Sequence, residues 1–450
     1  MTRSMSRRQF SARLAAAGAL ATASRSALSA YPANETIRLG VIGLGNRGDQ
    51  LIDAFKPQPD ASIVALCDVY PPYVEFARQK VGGSPFCTPD YRRLLERKDV
   101  DVVVNGTPDH WHTAINVAAC KAGKDVYVEK PLSLTVREGR RMVEVADQQK
   151  RVTQVGLQRR SSPLCHKAAE LIRGGAIGKV SVCRSFHLTN EWPMGIGNPP
   201  DSNPPPGLDW DKWLGPAPKV PYNRNRCFYR FRWFRSYSGG QLTNMGTHYL
   251  DMIQWCIGQD APTRVHAIGT KGAIRDNRQI PDTMEVTWEY PNGTLATFSQ
   301  FNANASPGNT KDALVEFRGT EGTLYLTYNK IEIVPEAVRA EEIPALDPTN
   351  RAGNSRQSKA TTRPAAKAPS MRDSNGHPHA RNFLDCVRSR KECNCPIEVG
   401  HRSTTTTLLA NLAYDRGREL VWDAKQERFT NDDEANKLLS YEYRPPWKLP

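Results

Sequence analysis

The sequence predicts an α/β protein in two parts: a doubly wound parallel sheet, then an α+β region on a large, mostly antiparallel sheet. Three observations carry this reading. From Ile37 to Val155, short apolar runs alternate with segments of helical periodicity, the rhythm of βαβ units. A Gly43-Leu-Gly45-Asn-Arg-Gly48 turn sits between the first apolar run and the first amphipathic segment. Beyond Arg159 the rhythm stops, and strand-like segments follow one another across turns such as Pro291-Asn-Gly293 and Gly319-Thr-Glu-Gly322.

The glycine turn has a specific physical reading. Ile37–Ile42 reads as a buried strand, and Leu51, Ile52 and Phe55 recur at helical spacing after it. Gly43 permits a tight turn, Gly45 lets the backbone approach a pyrophosphate, and Gly48 lets helix and strand pack closely. The helix N-terminus then offers free N–H groups and a positive dipole end to phosphates. Asn46 and Arg47 lie in the same turn and join the glycines as candidate cofactor contacts. The second strand, from Ala61, ends in Asp68, twenty residues after Gly48. An acid there accepts hydrogen bonds from the adenosine ribose hydroxyls and favours NAD. Val69-Tyr-Pro-Pro72 follows, with no basic residue to meet a 2′-phosphate; NADP stays open as the alternative.

Helices are expected at Tyr73–Lys80, Tyr91–Glu96, Thr113–Ala122 and Leu134–Gln149, and strands at Val100–Asn105, Asp125–Val128 and Arg151–Val155. Ligands bind such sheets at the C-terminal strand ends, where Asp68, Thr107-Pro108, His112 and Glu129-Lys130-Pro131 fall. Asp109 is expected to cap the helix after Pro108. This nucleotide-binding part spans 31–157. The part from 158 to 450 opens with Gln158 and Arg159 at the crossover, in reach of ribose or substrate. It continues with a helix Cys165–Arg173, a strand Lys179–His187, a Trp-rich loop Trp192–Pro221 and a helix Gln241–Ile257. Strands follow at Arg264–Gly269, Thr283–Tyr290, Thr294–Phe301, Asp312–Arg318 and Thr323–Tyr328, one face of their sheet covered by helices. Residues 336–372 nearly lack aliphatic and aromatic anchors and read as a disordered or surface-draped insertion. Helices return at Ala380–Val387 and Arg402–Leu420, and the tail Tyr441–Pro450 is expected to clamp onto the body.

The glycine turn, Thr107-Pro-Asp-His-Trp-His112, Glu129-Lys130-Pro131 and the Gly239–Asp251 segment together resemble the Gfo/Idh/MocA oxidoreductases, a family that includes glucose-fructose oxidoreductase and inositol dehydrogenase. The resemblance implies a Rossmann domain followed by an open-faced sheet, a sugar or polyol substrate, and a homo-oligomer, dimer or tetramer, built through that sheet. It also places His112 near the nicotinamide. Removing hydride from a secondary alcohol requires removing its hydroxyl proton, and a Lys beside the nicotinamide can hold the reacting oxygen and shuttle that proton. Lys130, at a strand end, is placed for this, with Glu129 beside it; a cis Lys130–Pro131 bond would aim the Lys inward.

Asn244, His248, Asp251 and Trp255 fall at i, i+4, i+7 and i+11 and share a helical face. An imidazole there can take the hydroxyl proton near neutral pH. The family's dehydrogenases carry an Asp four residues before this His, and here Asn244 stands in that place. An amide neither accepts the proton nor stabilises an imidazolium by charge, so simple dehydrogenase chemistry is weakened or altered. Lys130, His248 and Asn244 are therefore the catalytic candidates. Gln158, Arg159, His187 and Asp251 are the substrate-binding ones, and Trp192, Trp210, Trp213 and Trp233 are offered as stacking faces for sugars.

Composition bounds the rest. The 450 residues are 39% hydrophobic and 24% charged, an ordinary globular balance. Net charge is +14, and five arginines precede Tyr31 without an acid among them. The remainder is moderately basic and makes no argument for nucleic acid. The run Arg224 to Arg235, interleaved with aromatics, reads as contacts to an acidic sugar or as a solvated face. Ser6-Arg7-Arg8-Gln9-Phe10, followed by a weakly apolar Leu14–Ala23, resembles a twin-arginine signal peptide. Residues 1–30 are thus expected to direct export to the periplasm, with cleavage between Ala23 and Ala30. Ten mostly Ala residues cannot span a bilayer core of about 30 Å, so no stable membrane insertion is expected. No metal site is expected either: Cys386, Cys393 and Cys395 lack an evident fourth ligand. Export away from a free NAD pool points to a tightly held cofactor recycled within one turnover, either between two sugars or through a transient keto-sugar. The rival readings are a non-catalytic sugar-binding or assembly protein that retains a Rossmann domain, and an ordinary NAD-dependent polyol dehydrogenase.

Overall fold

The computed structural model describes residues 35–338, 349, 361–362 and 376–450. The twin-arginine segment and most of the 336–372 insertion lie outside the described residues.

Six strands, β1 (Ile37–Ile42), β2 (Ala61–Cys67), β3 (Phe86–Thr88), β4 (Val102–Asn105), β5 (Asp125–Val128) and β6 (Thr153–Val155), form a parallel sheet in the order β3-β2-β1-β4-β5-β6. The order reverses at β1, which opens a crevice at its C-terminal end. Every residue of β4 and β5 is buried, because helices cover both faces and the strands can be almost wholly apolar. The helices are α1 (Asn46–Phe55), α2 (Pro71–Val81), α3 (Tyr91–Leu95), α4 (Asp109–Lys121) and α5 (Val136–Gln148). A capping box opens α5, Thr135 and Glu138 each satisfying the other's backbone N–H. Strand β3 is too short to register as a period in sequence. Helix α4 starts at Asp109, with Pro108 as its N-cap and no side-chain cap. The expected Asp109 cap is therefore corrected: its carboxylate accepts the Ser238 hydroxyl at 2.5 Å instead.

After α6 (Pro163–Arg173), the chain builds β7 (Val180–Leu188), α7 (Trp210–Leu214), α8 (Thr247–Ile257), β8 (Arg264–Thr270), β9 (Thr283–Glu289), β10 (Leu295–Phe301), β11 (Val315–Gly319), β12 (Gly322–Leu326) and β13 (Ile331–Pro335). A small ribbon pairs β14 (Ala337–Val338) with β15 (Thr361–Thr362). Helices α9 (His377–Ser389) and α10 (Ile397–Arg416), strands β16 (Leu420–Asp423) and β17 (Arg428–Phe429), and α11 (Asp433–Lys437) complete the chain. Nine of the strands form one sheet, β13-β12-β11-β7-β10-β9-β8-β16-β17. Its neighbours are antiparallel except β7 and β10. Along β9, Met284, Val286 and Trp288 are buried while Glu285 and Thr287 point outward. The inner face shares a core with α6, α8 and α10. The outer face is open, with Ile268 67% exposed.

Besides the early start at Asp109, the helix boundaries differ most from the sequence expectation in two long helices. The Gln241–Ile257 helix is broken by a π-type turn at Leu242–Gly246 before α8. The last long helix starts five residues early, at Ile397, and stops at Gly417, whose left-handed φ of 64° ends it, so Leu420 begins β16 instead. The chain also returns to its first half. Phe383 of α9 meets Tyr127 and Phe55 edge-on, with centroids 5.8 and 6.2 Å away, and Trp447 of the tail meets Trp111 at 4.9 Å. Helix α9 is thus part of the first sheet's core, although it follows the whole second sheet in sequence. Phe383→Ala should cost about 3–5 kcal/mol, as large aromatic-to-Ala changes in cores do. The check is the thermal midpoint, with nucleotide binding falling in parallel; an unchanged midpoint would show that α9 is not part of that core.

Candidate active site

The site begins with a contact that tolerates only hydrogen. A Cβ on Gly48 would lie 1.9 Å from the Gly43 carbonyl oxygen, so α1 and β1 meet there without room for a methyl group. Gly43 has φ +82°, a conformation that L side chains rarely adopt. Helix α1 begins after Gly45 with no side-chain cap, which leaves its first-turn N–H groups for a ligand. These groups face a cavity of about 540 Å³, within the range of sites that enclose small molecules.

Asp68 stands at the far end. Its carboxylate accepts the N–H of Leu44 at 2.7 Å and of Tyr70 at 2.9 Å. Burial pushes it up to about 6 against those two bonds. The bonds fix its orientation and tie the glycine turn to the end of β2; its remaining lone pairs are free for ribose hydroxyls. The uncapped helix end, the absent Cβ at Gly45 and this oriented carboxylate fit a dinucleotide.

Lys130 stands at the other end. The Lys130–Pro131 bond is cis. Three contacts clamp the loop: Thr404 Oγ1 accepts the Leu132 N–H at 2.9 Å, His112 Nδ1 lies 2.8 Å from the Pro131 oxygen, and Arg47 Nε lies 2.7 Å from the Glu129 carboxylate. Gly156 leaves the space for Glu129, since a Cβ there would come within 2.6 Å of its oxygen. The ammonium of Lys130 donates to the Asn244 side-chain oxygen at 2.8 Å and to its backbone oxygen at 3.1 Å. Asn244 Nδ2 donates to Gln241 Oε1 at 2.8 Å, which orients the amide. Burial lowers Lys130 to about 8. His248 also lines the cavity, and its Nδ1 is buried without a partner. Burial, then the nearby Lys130 charge, hold it well below the ordinary imidazole range. It is therefore a neutral hydrogen-bonding ring here, and Lys130 is the better-tuned proton carrier, which shifts the emphasis the sequence placed on His248.

The cavity wall brings together Gly43, Gly45, Asn46, Arg47, Asp68, Thr107, Pro108, Glu129, Lys130, Gln158, Asn244 and His248. Gly48 lies behind the wall as packing. The other candidates are placed elsewhere. Both ring nitrogens of His112 face backbone oxygens, Pro131 and Thr107, at 2.8 Å, so His112 braces two loops and stands outside the cavity lining. Asp251 pairs with Arg160 at 2.8 Å and accepts the Ser403 hydroxyl at 2.7 Å; it lies a turn past His248, beyond the cavity. Arg159 is buried with its guanidinium over Tyr328. His187 is half-buried on β7, outside the cavity lining, with Nε2 unpartnered. Trp213, Trp447 and Arg232 line the cavity. The Arg-rich run flagged Arg232 only as one of several, and nothing in the sequence singled out Trp447.

Fold and site define a dinucleotide-binding oxidoreductase with a separate α/β substrate domain. The chain belongs to the Gfo/Idh/MocA oxidoreductase family. The family model described as "Oxidoreductase family, NAD-binding Rossmann fold" matches residues 37–157, and its "C-terminal alpha/beta domain" matches 171–366 and 360–449. A levoglucosan dehydrogenase of Pseudarthrobacter phenanthrenivorans is 24% identical over 280 residues, 58% of this chain and 64% of that one. A myo-inositol 2-dehydrogenase of Thermotoga maritima is 26% identical over 294 residues, 64% and 75% of the two. A glycosyl hydrolase family 109 protein of Saccharopolyspora erythraea is 36% identical over 130 residues, 27% of this chain but only 28% of that protein. The match thus spans less than two thirds of the levoglucosan and family 109 relatives. The solved levoglucosan dehydrogenase complex with NADH and levoglucosan has the same fold, with a TM-score of 0.63, 18% identity and coverage of 86% and 99%.

An amide opposite Lys130 brings no charge of its own to the ammonium, beyond that of Glu129 and Asp109. Asn244→Asp should favour the ammonium, raising the pH at which Lys130 loses its proton from about 8 by about one pH unit or more. The pH dependence of Lys130 labelling by a small acylating reagent, read by mass spectrometry, checks this. An unmoved midpoint would show that Asn244 does not tune the amine.

Proposed function

We propose that the chain is an NAD-dependent oxidoreductase acting on a sugar, polyol or glycoside, and that it keeps its cofactor through each turnover. The observation that carries this reading is the convergence of Lys130, Asn244 and His248 at one end of a cavity whose other end is the glycine turn and Asp68. The glycine turn and Asp68 would hold NAD, which when bound would supply reversible hydride acceptance at the substrate carbon. The chain's own residues handle the proton and the geometry. Lys130, lowered to about 8 by burial, holds the substrate hydroxyl oxygen and takes its proton, since an amine near the working pH is efficient in both directions. Asn244 holds the amine in place without pinning its charge. His248 stays neutral and offers a hydrogen bond to the same or a neighbouring hydroxyl. The stacked Trp210 and Trp213, with ring centroids 4.8 Å apart, help wall off water.

Retention is supported by packing over the nucleotide end. Phe228 lies against Tyr70 and Tyr73 at 5.4 and 5.8 Å, and the Asp209 N–H reaches the Val69 oxygen at 3.2 Å. A chain from the second domain thus straps the Rossmann loop that follows β2. A redox-neutral glycoside reaction fits such a site, and similarity to family 109 glycosyl hydrolases supports it. Loss of the C3 hydride and hydroxyl proton gives a ketone; that ketone acidifies the C2 proton, whose loss expels the C1 oxygen substituent. Addition of water and return of the hydride complete a net hydrolysis. Export through residues 1–30 to the periplasm, and homo-oligomerisation through the open sheet face, belong to the same proposal.

Protein expressed from Tyr31 and purified without nucleotide should release near-stoichiometric NAD on denaturation, identified by mass. Protein that arrives empty and binds NAD reversibly would instead mark a polyol dehydrogenase using diffusing cofactor. Protein that neither holds nor binds nucleotide would mark a non-catalytic sugar-binding module. Once a substrate is found, Lys130→Ala should lower turnover by about 10²–10⁴, the range for loss of a general acid–base group.

A further inference from the structure

The charge at the catalytic end of the cavity does not balance. Arg232 lines this cavity from the 3₁₀ segment Phe228–Trp233. Its Nε and Nη1 are buried and have no hydrogen-bond acceptor. Tyr229 covers one face of the guanidinium at 3.9 Å from the ring centroid. That contact uses the π face and leaves the in-plane N–H edge unused. Lys130 adds a second cation, close enough for the Arg232 charge to act on it. Glu129 is the strongest opposing charge at Lys130, but it is shared with Arg47, which pairs with it at 2.7 Å, so one carboxylate faces three cations. The remaining carboxylate acting on both is Asp109, which is occupied by Ser238 and whose ionised form burial disfavours. His187 lies within the field of Arg232 and has Nε2 buried without a partner.

Two buried guanidinium N–H groups without an acceptor are costly, while the rest of the half-buried group stays open to the cavity. Such a group is a standing demand for an anion, and the planar N–H edge matches a carboxylate. Resting on the sugar-oxidoreductase reading above, we propose that the substrate is a sugar acid, a hexuronate or its glycoside, whose carboxylate is taken by Arg232 while Lys130 addresses the hydroxyl to be oxidised. Tyr229 keeps the guanidinium edge turned inward, and His187 stands behind it as a further hydrogen-bonding group. The cofactor's own pyrophosphate is the other anion in reach of this cleft, so the test separates the two.

The experiment uses the protein with NAD bound and measures binding of methyl glucuronide and methyl glucoside by calorimetry, at low and high salt. The expected result is a preference for the uronide of about tenfold or more, the size of one charge-assisted hydrogen-bonded pair, weakening with salt. Arg232→Gln should bring the two affinities together, and Arg232→Lys should restore part of the difference. Equal binding of the two sugars by the unsubstituted protein would overturn the proposal. Loss of bound NAD in folded Arg232→Gln, with the sugar preference intact, would also overturn it and assign the guanidinium to the cofactor. A salt-sensitive uronide preference in a protein that turns over no sugar would sustain this inference while removing the enzymatic reading, so the two fail separately. The thermal midpoint of each variant confirms that a folded protein is compared.

Discussion

The bond from the Lys130 ammonium to Asn244 joins the two halves of the molecule. Lys130 leaves the end of β5 in the parallel sheet, and Asn244 sits in the π-type turn that leads into α8 on the second sheet. Neither side chain has this partner until both sheets are formed and docked. The bond puts an amine in a desolvated place against a neutral acceptor, which lets burial dominate and lowers the amine to about 8. A carboxylate at the same position would hold the charge. The departure at residue 244 from the acidic pattern of the family's dehydrogenases is therefore a change in how easily Lys130 gives up its proton, as much as the loss of a base.

Much of the surrounding structure braces that bond. His112 spans two backbone oxygens, Thr404 takes the Leu132 N–H, and the Arg47–Glu129 pair closes the loop from the glycine side. A buried stretch of threonines in α10 works in the same way: Thr404 serves the Lys130 loop, Thr406 receives the Trp288 ring N–H on its backbone oxygen, and Thr407 touches Thr247 of α8. Buried hydroxyls in helices are seldom favourable unless each finds a partner. Here their partners lie on both sheets, so α10 acts as a polar seam between the domains.

The parallel half was readable because its signals are local. Gly43, Gly45 and Gly48 announce a turn whose geometry follows from their lack of a Cβ, and β4 and β5 are largely apolar, each with one polar residue at an end, because both faces are covered. Lys130 and His248 could be named from short motifs and brought to one cavity by the fold. Asp251 could not be placed by the same logic. Helical spacing puts it on the face of His248, but the next turn along that face meets Arg160 and Ser403. Face alignment states direction from an axis and says nothing about which neighbour waits there. His112 and Asp109 show the same limit: Asp109 does not cap the helix as its position suggested, and the partners Pro131 and Ser238 come from other segments.

The sequence by itself determined the alternation of strands and helices in the parallel half, the glycine turn and the lysine that lines the cavity beside it, because each depends on residues within a few positions of one another. Tertiary structure alone decided that α9 completes the first sheet's core, that Trp447 reaches the cavity, and that Arg232, among several arginines in one run, is the one left facing it without an acceptor. Those outcomes are set by burial and by contacts between distant segments, and no local pattern of side chains encodes which distant partner a buried charge will lack.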